Sequence, residues 1–241
     1  GVLPSGSFDL EAYSWAIGIV SSRGLTLPKV EGETVLAPLV DLAMVRLGSG
    51  KVELAYEGMF REPRIKLSAG QGISAGSSVG VEHQESSSKL FAKRGLASLA
   101  PEYGSYEVSF SVSPMDPFFD DKADILEQAG FSTDQDFVLT SEYYPDEEMM
   151  AFLRLVCIKG ADAFLLESVF RNEVWDFMQL PVSQENEKVM LETIVGFCEG
   201  SLEEIATEDA EDSKVLSDIE APMRARIAAS VRLSEKKALR S

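Results

Sequence analysis

A single histidine limits the chemistry open to this chain. His83 follows Glu82 and lies just ahead of Ser86, Ser87 and Ser88. A Ser/His/acid relay needs its base within hydrogen-bond reach of the hydroxyl. One His beside a serine-rich stretch does not establish that, and His83 reads as a surface-loop residue. It also excludes His-rich metal sites and most imidazole relays. Cys157 and Cys198 both sit in apolar helical sequence and read as buried free thiols. Gly70-Gln71-Gly72 is a GxG fragment, but a phosphate cradle needs a strand before it and a helix after it. The following Ile-Ser-Ala-Gly-Ser-Ser predicts a flexible turn. Gly48-Ser49-Gly50 reads as a hairpin turn. Nine acids and one Lys214 lie between Glu199 and Glu220, without the spaced Asp/Asn/Gly ligands of a calcium loop. They predict a solvated face with an acidic loop, and a dock for a basic partner is the second reading. Residue types alone therefore give no catalytic constellation.

The elements that would carry these residues change character along the chain. Ser7 is a candidate N-cap, with Asp9 and Glu11 in the first turn of a helix. Leu10, Tyr13, Ala16, Ile17 and Val20 recur at helical spacing up to the Arg23-Gly24 stop. Residues 28–33 read as a loop, 35–40 as a short apolar run and 41–45 as a turn or short helix. From residue 51 the period becomes two, giving strands near 52–57 and 64–67 and a third at 78–82. Ser86 to Arg94 predicts a helix stopped by Gly95. Residues 101–105 read as a linker and 107–113 as a strand. After Pro117 the pattern predicts helices at 118–129, 145–158, 160–177, 183–206 and 221–239.

Charge divides at the same place. Of 241 residues, the first hundred hold ten acidic and ten basic side chains, and the rest hold thirty and twelve, so the net −18 belongs to the second part. Such a surface repels phosphate backbones, which argues against direct nucleic-acid binding. The final segment reverses sign. Arg224, Arg226, Arg232, Lys236, Lys237 and Arg240 face only Glu235 in residues 222–240. That helix is expected to pack its apolar side on the domain and its positive side against the acidic run before it. No apolar run reaches the roughly 18 residues of a spanning helix, and no secretory leader is visible at the start. Composition reads as a soluble, intracellular α+β protein, with a β-rich region over 1–100 (including a helical insert at 8–23) and a mostly helical domain over 101–241.

Several motifs agree in order and spacing with a known family. They are Ser111-Val112-Ser113-Pro114-Met115-Asp116-Pro117, Lys122 to Leu126, Gln128-Ala129-Gly130-Phe131, Asp136 to Leu139, Met150 to Leu155, and Pro181 to Glu187. This series resembles the helical substrate-binding domain of the Rubisco large-subunit methyltransferase-like proteins, which are SET-domain protein-lysine methyltransferases of plants and algae. Trp15-Ala16, Ser22-Arg23, Leu36 to Asp41 and Leu90 to Leu96 resemble the latter part of the SET domain. The resemblance implies that the opening SET segment, with its glycine-rich cofactor turn, has no counterpart here and that the chain is a fragment. It also implies a chloroplast location.

The departures bear on function. Asp41 is in place, but where the family carries an Asn-His pair this chain has Met44 and Val45. Neither side chain supplies the amide or imidazole hydrogen bonds that orient a methionyl group. Where the family's catalytic Tyr falls, this chain has Val81-Glu82-His83. These losses predict a pseudo-methyltransferase without cofactor, serving as a protein-binding scaffold in a plastid assembly. Its partner, expected to be basic, would dock on the helical domain. The alternative is an active S-adenosylmethionine-dependent protein-lysine methyltransferase in which the N-terminal SET segment, or Tyr56, Tyr103 or Tyr106, supplies the replacement groups.

Overall fold

The computed structural model describes residues 9–26, 34–44, 47–57, 62–83, 85–99, 104–141, 145–167 and 174–241. Backbone contacts divide the chain into two compact units, Gly1–Ser98 and Leu99–Ser241. The fold class is α+β, as the sequence predicts.

The first unit begins with α1 (Leu10–Arg23). Its N-cap is Asp9, whose carboxylate accepts from the Ala12 amide at 2.6 Å. Ser7, the expected cap, lies outside the described residues. No α1 residue is buried; Leu10 is 80% and Trp15 68% exposed. The helical spacing is as predicted, and among the described elements α1 meets mainly α2 (Val40–Met44) and α3 (Ser87–Arg94). Strands β1 (Leu25–Thr26) and β2 (Thr34–Val35) pair antiparallel, as do β3 (Leu47–Glu57) and β4 (Glu62–Ser68). The β3–β4 register sets Val52 against Leu67 and Leu54 against Ile65.

Gly48-Ser49-Gly50 is not a hairpin turn but part of β3. The Gly50 amide donates to Gly80 O at 3.0 Å and Gly50 O accepts from the Glu82 amide at 2.8 Å. A Cβ at Gly50 would stand 2.6 Å from Gly80 O, so the glycine permits this close backbone approach. The expected third strand at 78–82 reduces to bridges from Val81 to Leu47 and Gly50. Helix α3 is capped by Ser86, whose Oγ accepts from the Lys89 amide, and stopped by Gly95 at φ 67°.

In the second unit, β5 (Ser105–Ser111) pairs antiparallel with β6 (Asp134–Thr140) around α4 (Phe119–Ala129). β6 corrects the expectation of an all-helical stretch after Pro117. Its buried Phe137 and Leu139 alternate with more exposed neighbours. Helix α5 (Glu147–Val156) buries six of its ten residues, including Met149, Phe152, Leu153 and Leu155. Each such side chain contributes roughly 1.5–3 kcal/mol of transfer free energy, making α5 the centre of a core that also takes in Val108, Ile125, Leu126 and Met190. The predicted helix at 160–177 is instead a 3-10 segment, Gly160–Leu166, and a short α6 (Val174–Met178). α7 (Gln184–Glu204) and α9 (Met223–Arg240) match expectation. The acidic run is not a loop, because α8 (Asp209–Ser217) forms inside it. Among the described residues no helix is long and apolar enough to cross a membrane.

Three buried charge systems hold this unit. Lys122 on α4 is fully buried, and its Nζ donates to Asp116 Oδ2 at 2.7 Å, Val156 O at 2.8 Å and Ile158 O at 2.9 Å. A cation thus closes the carbonyl end of α5. Arg154 grips both oxygens of Glu187 at 2.7 and 3.2 Å and donates to Met178 O at 3.0 Å. The third system joins α8 to α9. Asp212, 1% exposed, accepts from Arg232 and from Lys236 at 2.9 Å, and Arg240 pairs with Asp209. The positive face of the last helix therefore meets the acidic run, as its sign reversal predicts.

Candidate functional site

In the first unit the structure brings together two stretches that the sequence singles out. Ala43, one residue before Met44, shares an apolar cluster with Val81, and Leu47 bridges Val81. The position of Met44 and that of Glu82-His83 therefore approach the same cluster of Leu25, Ala37, Ala43 and Val81. Met44 ends α2; Val45 lies outside the described residues. Leu39, just before α2, holds φ 75°. A side chain in that left-handed region is strained, and here the strain lies in the turn that delivers Asp41.

The polar residues around the cluster are tied to one another. Arg23 Nη1 is 3.6 Å from Asp41 Oδ2. Arg94 Nε donates to Glu85 Oε2 at 2.7 Å, and its Nη1 donates to Ser22 O at 2.9 Å. Lys93 Nζ donates to Glu85 Oε1 at 3.1 Å. Burial alone would push the Glu85 carboxyl up, but the hydrogen bonds and charges of Arg94 and Lys93 outweigh it and hold it below the ordinary range. His83 is not a surface residue. Its side chain is 3% exposed, and Nδ1 stands 3.8 Å from Glu85 Oε2. Glu82 is exposed. Trp15 stays in solvent on α1, apart from this cluster of ties. Glu85, which organises the group, gave no motif; its only sequence signal is a carboxylate just before a helix that ends Lys93-Arg94.

This arrangement ties the start of α3 to the end of α1 through Arg94. Among the described residues no group of three or more His, Cys, Asp or Glu could hold a metal. Tyr106 packs against the core of the second unit. Tyr103 lies outside the described residues, and Tyr56 is placed only by its backbone in β3. Both cysteines are free, Cys157 buried and Cys198 half-buried, and burial pushes both thiols up.

The second unit carries grooves. One, of about 590 Å³, is lined by Val182, Gln184, Lys188 and Leu191 at the start of α7. Another, of about 770 Å³, is lined by Leu139, Pro145, Ile194, Cys198, Leu202 and Leu239.

Comparison with known proteins gives these units relatives. Residues 113–239 match a family described as Rubisco LSMT substrate-binding. The chain is 31% identical over 243 residues to the chloroplastic [fructose-bisphosphate aldolase]-lysine N-methyltransferase of Arabidopsis thaliana, covering 98% of this chain and 50% of that one. It is 30% identical to the chloroplastic Rubisco large subunit N-methyltransferase of Pisum sativum, covering 95% and 48%. It is 26% identical to the actin-histidine N-methyltransferase of Homo sapiens, covering 97% and 40%. The chain thus spans about half the length of the curated relatives it matches. A crystal structure of the SET domain of LSMT bound to lysine and AdoHcy superposes with a TM-score of 0.69 at 26% identity, covering 97% of this chain and 54% of that one. The expectation of no cofactor is overturned by that structure, whose related fold holds AdoHcy.

Proposed function

Because the chain belongs to the Rubisco LSMT substrate-binding family, we propose that its protein transfers a methyl group from S-adenosylmethionine to a side-chain nitrogen of another protein. Lysine is the first candidate acceptor and the chloroplast the first candidate location. The observation that carries this reading is the match over residues 113–239, which falls within the compact unit Leu99–Ser241. Similarity at 31% identity over 98% of the chain to a relative named as a lysine methyltransferase supports it.

The helical unit is assigned the docking of the substrate protein. Methyl transfer requires an uncharged amine held in line with the methyl group, and lysine is ordinarily protonated near neutral pH. Holding the substrate through a separate folded unit supplies orientation that a single exposed side chain cannot. S-adenosylmethionine would supply the methyl group. At the two positions that the resemblance assigns to its contacts, Met44 and Val45 offer no strong hydrogen-bond donor. The neighbouring described cluster of Leu25, Ala37, Ala43 and Val81 is apolar. These residues do not fit the cofactor's polar end, and no step is routed through them.

That mismatch favours a second reading, in which the helical unit docks a partner without transfer. Incubating the full-length protein with radiolabelled S-adenosylmethionine and either chloroplast aldolase or Rubisco large subunit separates the two. Label on the acceptor is expected. Binding of the acceptor with no label on it would leave only docking.

A further inference from the structure

We propose that the outer side of α7 and the groove beside it form the seat for a basic, amphipathic segment of the partner protein. This deepens the docking role just assigned to the helical unit and rests on it. Helix α7 carries two apolar stripes. The inner one, Met190, Ile194 and Phe197, packs in or against the core of the unit. The outer one, Leu191, Val195, Cys198 and Leu202, recurs at the same helical spacing; Cys198 also packs against the core, while Leu191 and Val195 face away from it. Leu191 and Val195 are each 52% exposed. Leu191 lines the groove of about 590 Å³, and the other three line that of about 770 Å³. Leu139, Pro145 and Leu239 form the opposite wall of the larger groove. An apolar stripe that runs between two grooves is a surface for a helix or extended segment to cover.

Charge selects the occupant. Helix α7 holds six acidic residues and one lysine. Glu187 is held by Arg154, and Glu192 stands 3.9 Å from Lys188. Glu199 lines the larger groove and Glu203 follows it one turn on; both are exposed. The cation at the groove's far edge, Arg240, is paired with Asp209. The rim is therefore negative over an apolar floor, which suits apolar side chains flanked by Lys or Arg and repels an acidic segment.

The test uses the whole chain and an amphipathic Leu/Lys peptide of about 14 residues, with its Leu/Glu counterpart as control. Titration calorimetry at low salt is expected to show binding of the Leu/Lys peptide only. Leu191→Ser with Val195→Ser should weaken it about tenfold or more, and Glu199→Lys with Glu203→Lys should reverse the preference toward Leu/Glu. Bound peptide should also slow alkylation of Cys198 relative to the buried Cys157. Circular dichroism of each variant is expected to match that of the unsubstituted chain, so that lost binding is not lost folding. If the peptide binds but neither pair of substitutions weakens it and Cys198 stays reactive, the groove assignment fails while docking of basic partners stands. If the Leu/Lys peptide does not bind at all, or the Leu/Glu peptide binds equally, both the groove and the basic-partner reading fall. The methyl-transfer assay still decides the enzyme reading by itself.

Discussion

At the scale of single residues, Met44 and Val45 are the sharpest question. If these positions contact the cofactor, restoring an amide and an imidazole should tighten its binding. Met44→Asn with Val45→His is expected to lower the calorimetric Kd for S-adenosylmethionine by about tenfold, the worth of one or two net hydrogen bonds. An unchanged Kd would remove both positions from the cofactor site. Lys122 poses the opposite case, because its role is wholly structural. Lys122→Met keeps the aliphatic volume but strands Asp116 and two carbonyls at the end of α5. Breaking a buried pair from one side costs about 3–5 kcal/mol. Urea unfolding should show a loss of that size, and a loss under about 1 kcal/mol would mean that water reaches the site. Sequence alone marked Met44 and Val45 because a family pattern was there to be broken. It marked Lys122 only as the start of a family-like motif and gave no sign of Glu85, because the value of a lone charge depends on what the fold places around it.

At the scale of elements, the clamp between α8 and α9 should be acid-labile. Burial alone would raise the Asp212 carboxyl, but hydrogen bonds from Arg232, Lys236 and Thr207 hold it below the ordinary range. The bond from Arg240 likewise lowers Asp209. A depressed folded value means that the stabilisation is fully present above the unfolded carboxylate value, near 3.9, and is lost as pH falls through the lower folded values. Protection factors in α9, corrected for the intrinsic exchange rate at each pH, should therefore fall below about pH 4, ahead of those in α5. Uniform loss of protection in both helices would refute a local clamp. Asp212→Asn should bring part of the same loosening to neutral pH, since Lys236 is 3% exposed and would lose its nearest carboxylate. Gly104 adds a steric lock on the same helix. A Cβ there would stand 1.9 Å from Ser234 O, so Gly104→Ala should also free α9. The last helix and its charge reversal were legible because both its period and its sign are local. α8 was not, since a run of acids repels itself until Arg232 and Lys236 arrive from another helix. β6 was missed because Asp134-Gln135-Asp136 opens it with poor strand formers, and pairing with β5 overrides that propensity.

At the scale of the whole molecule, the charge of −18 ceases to be a bulk property. The first hundred residues are neutral, so the negative field belongs to the unit that matches the substrate-binding family. A field of this kind acts chiefly on encounter. Complementary charge raises association rates by about 10 to 10³ at low salt and loses that advantage as the Debye length shrinks. Contacts within the α7 groove act instead on dissociation, because the outer apolar stripe does not respond to screening. The two contributions can thus be separated in one experiment. With a basic partner, stopped-flow association should slow about tenfold or more between roughly 0.05 and 0.5 M salt, while dissociation changes little. Leu191→Ser with Val195→Ser should do the reverse, speeding dissociation and sparing the association rate. A salt-independent association rate would mean that the acidic surface serves solubility alone and that docking is carried by shape and apolar contact.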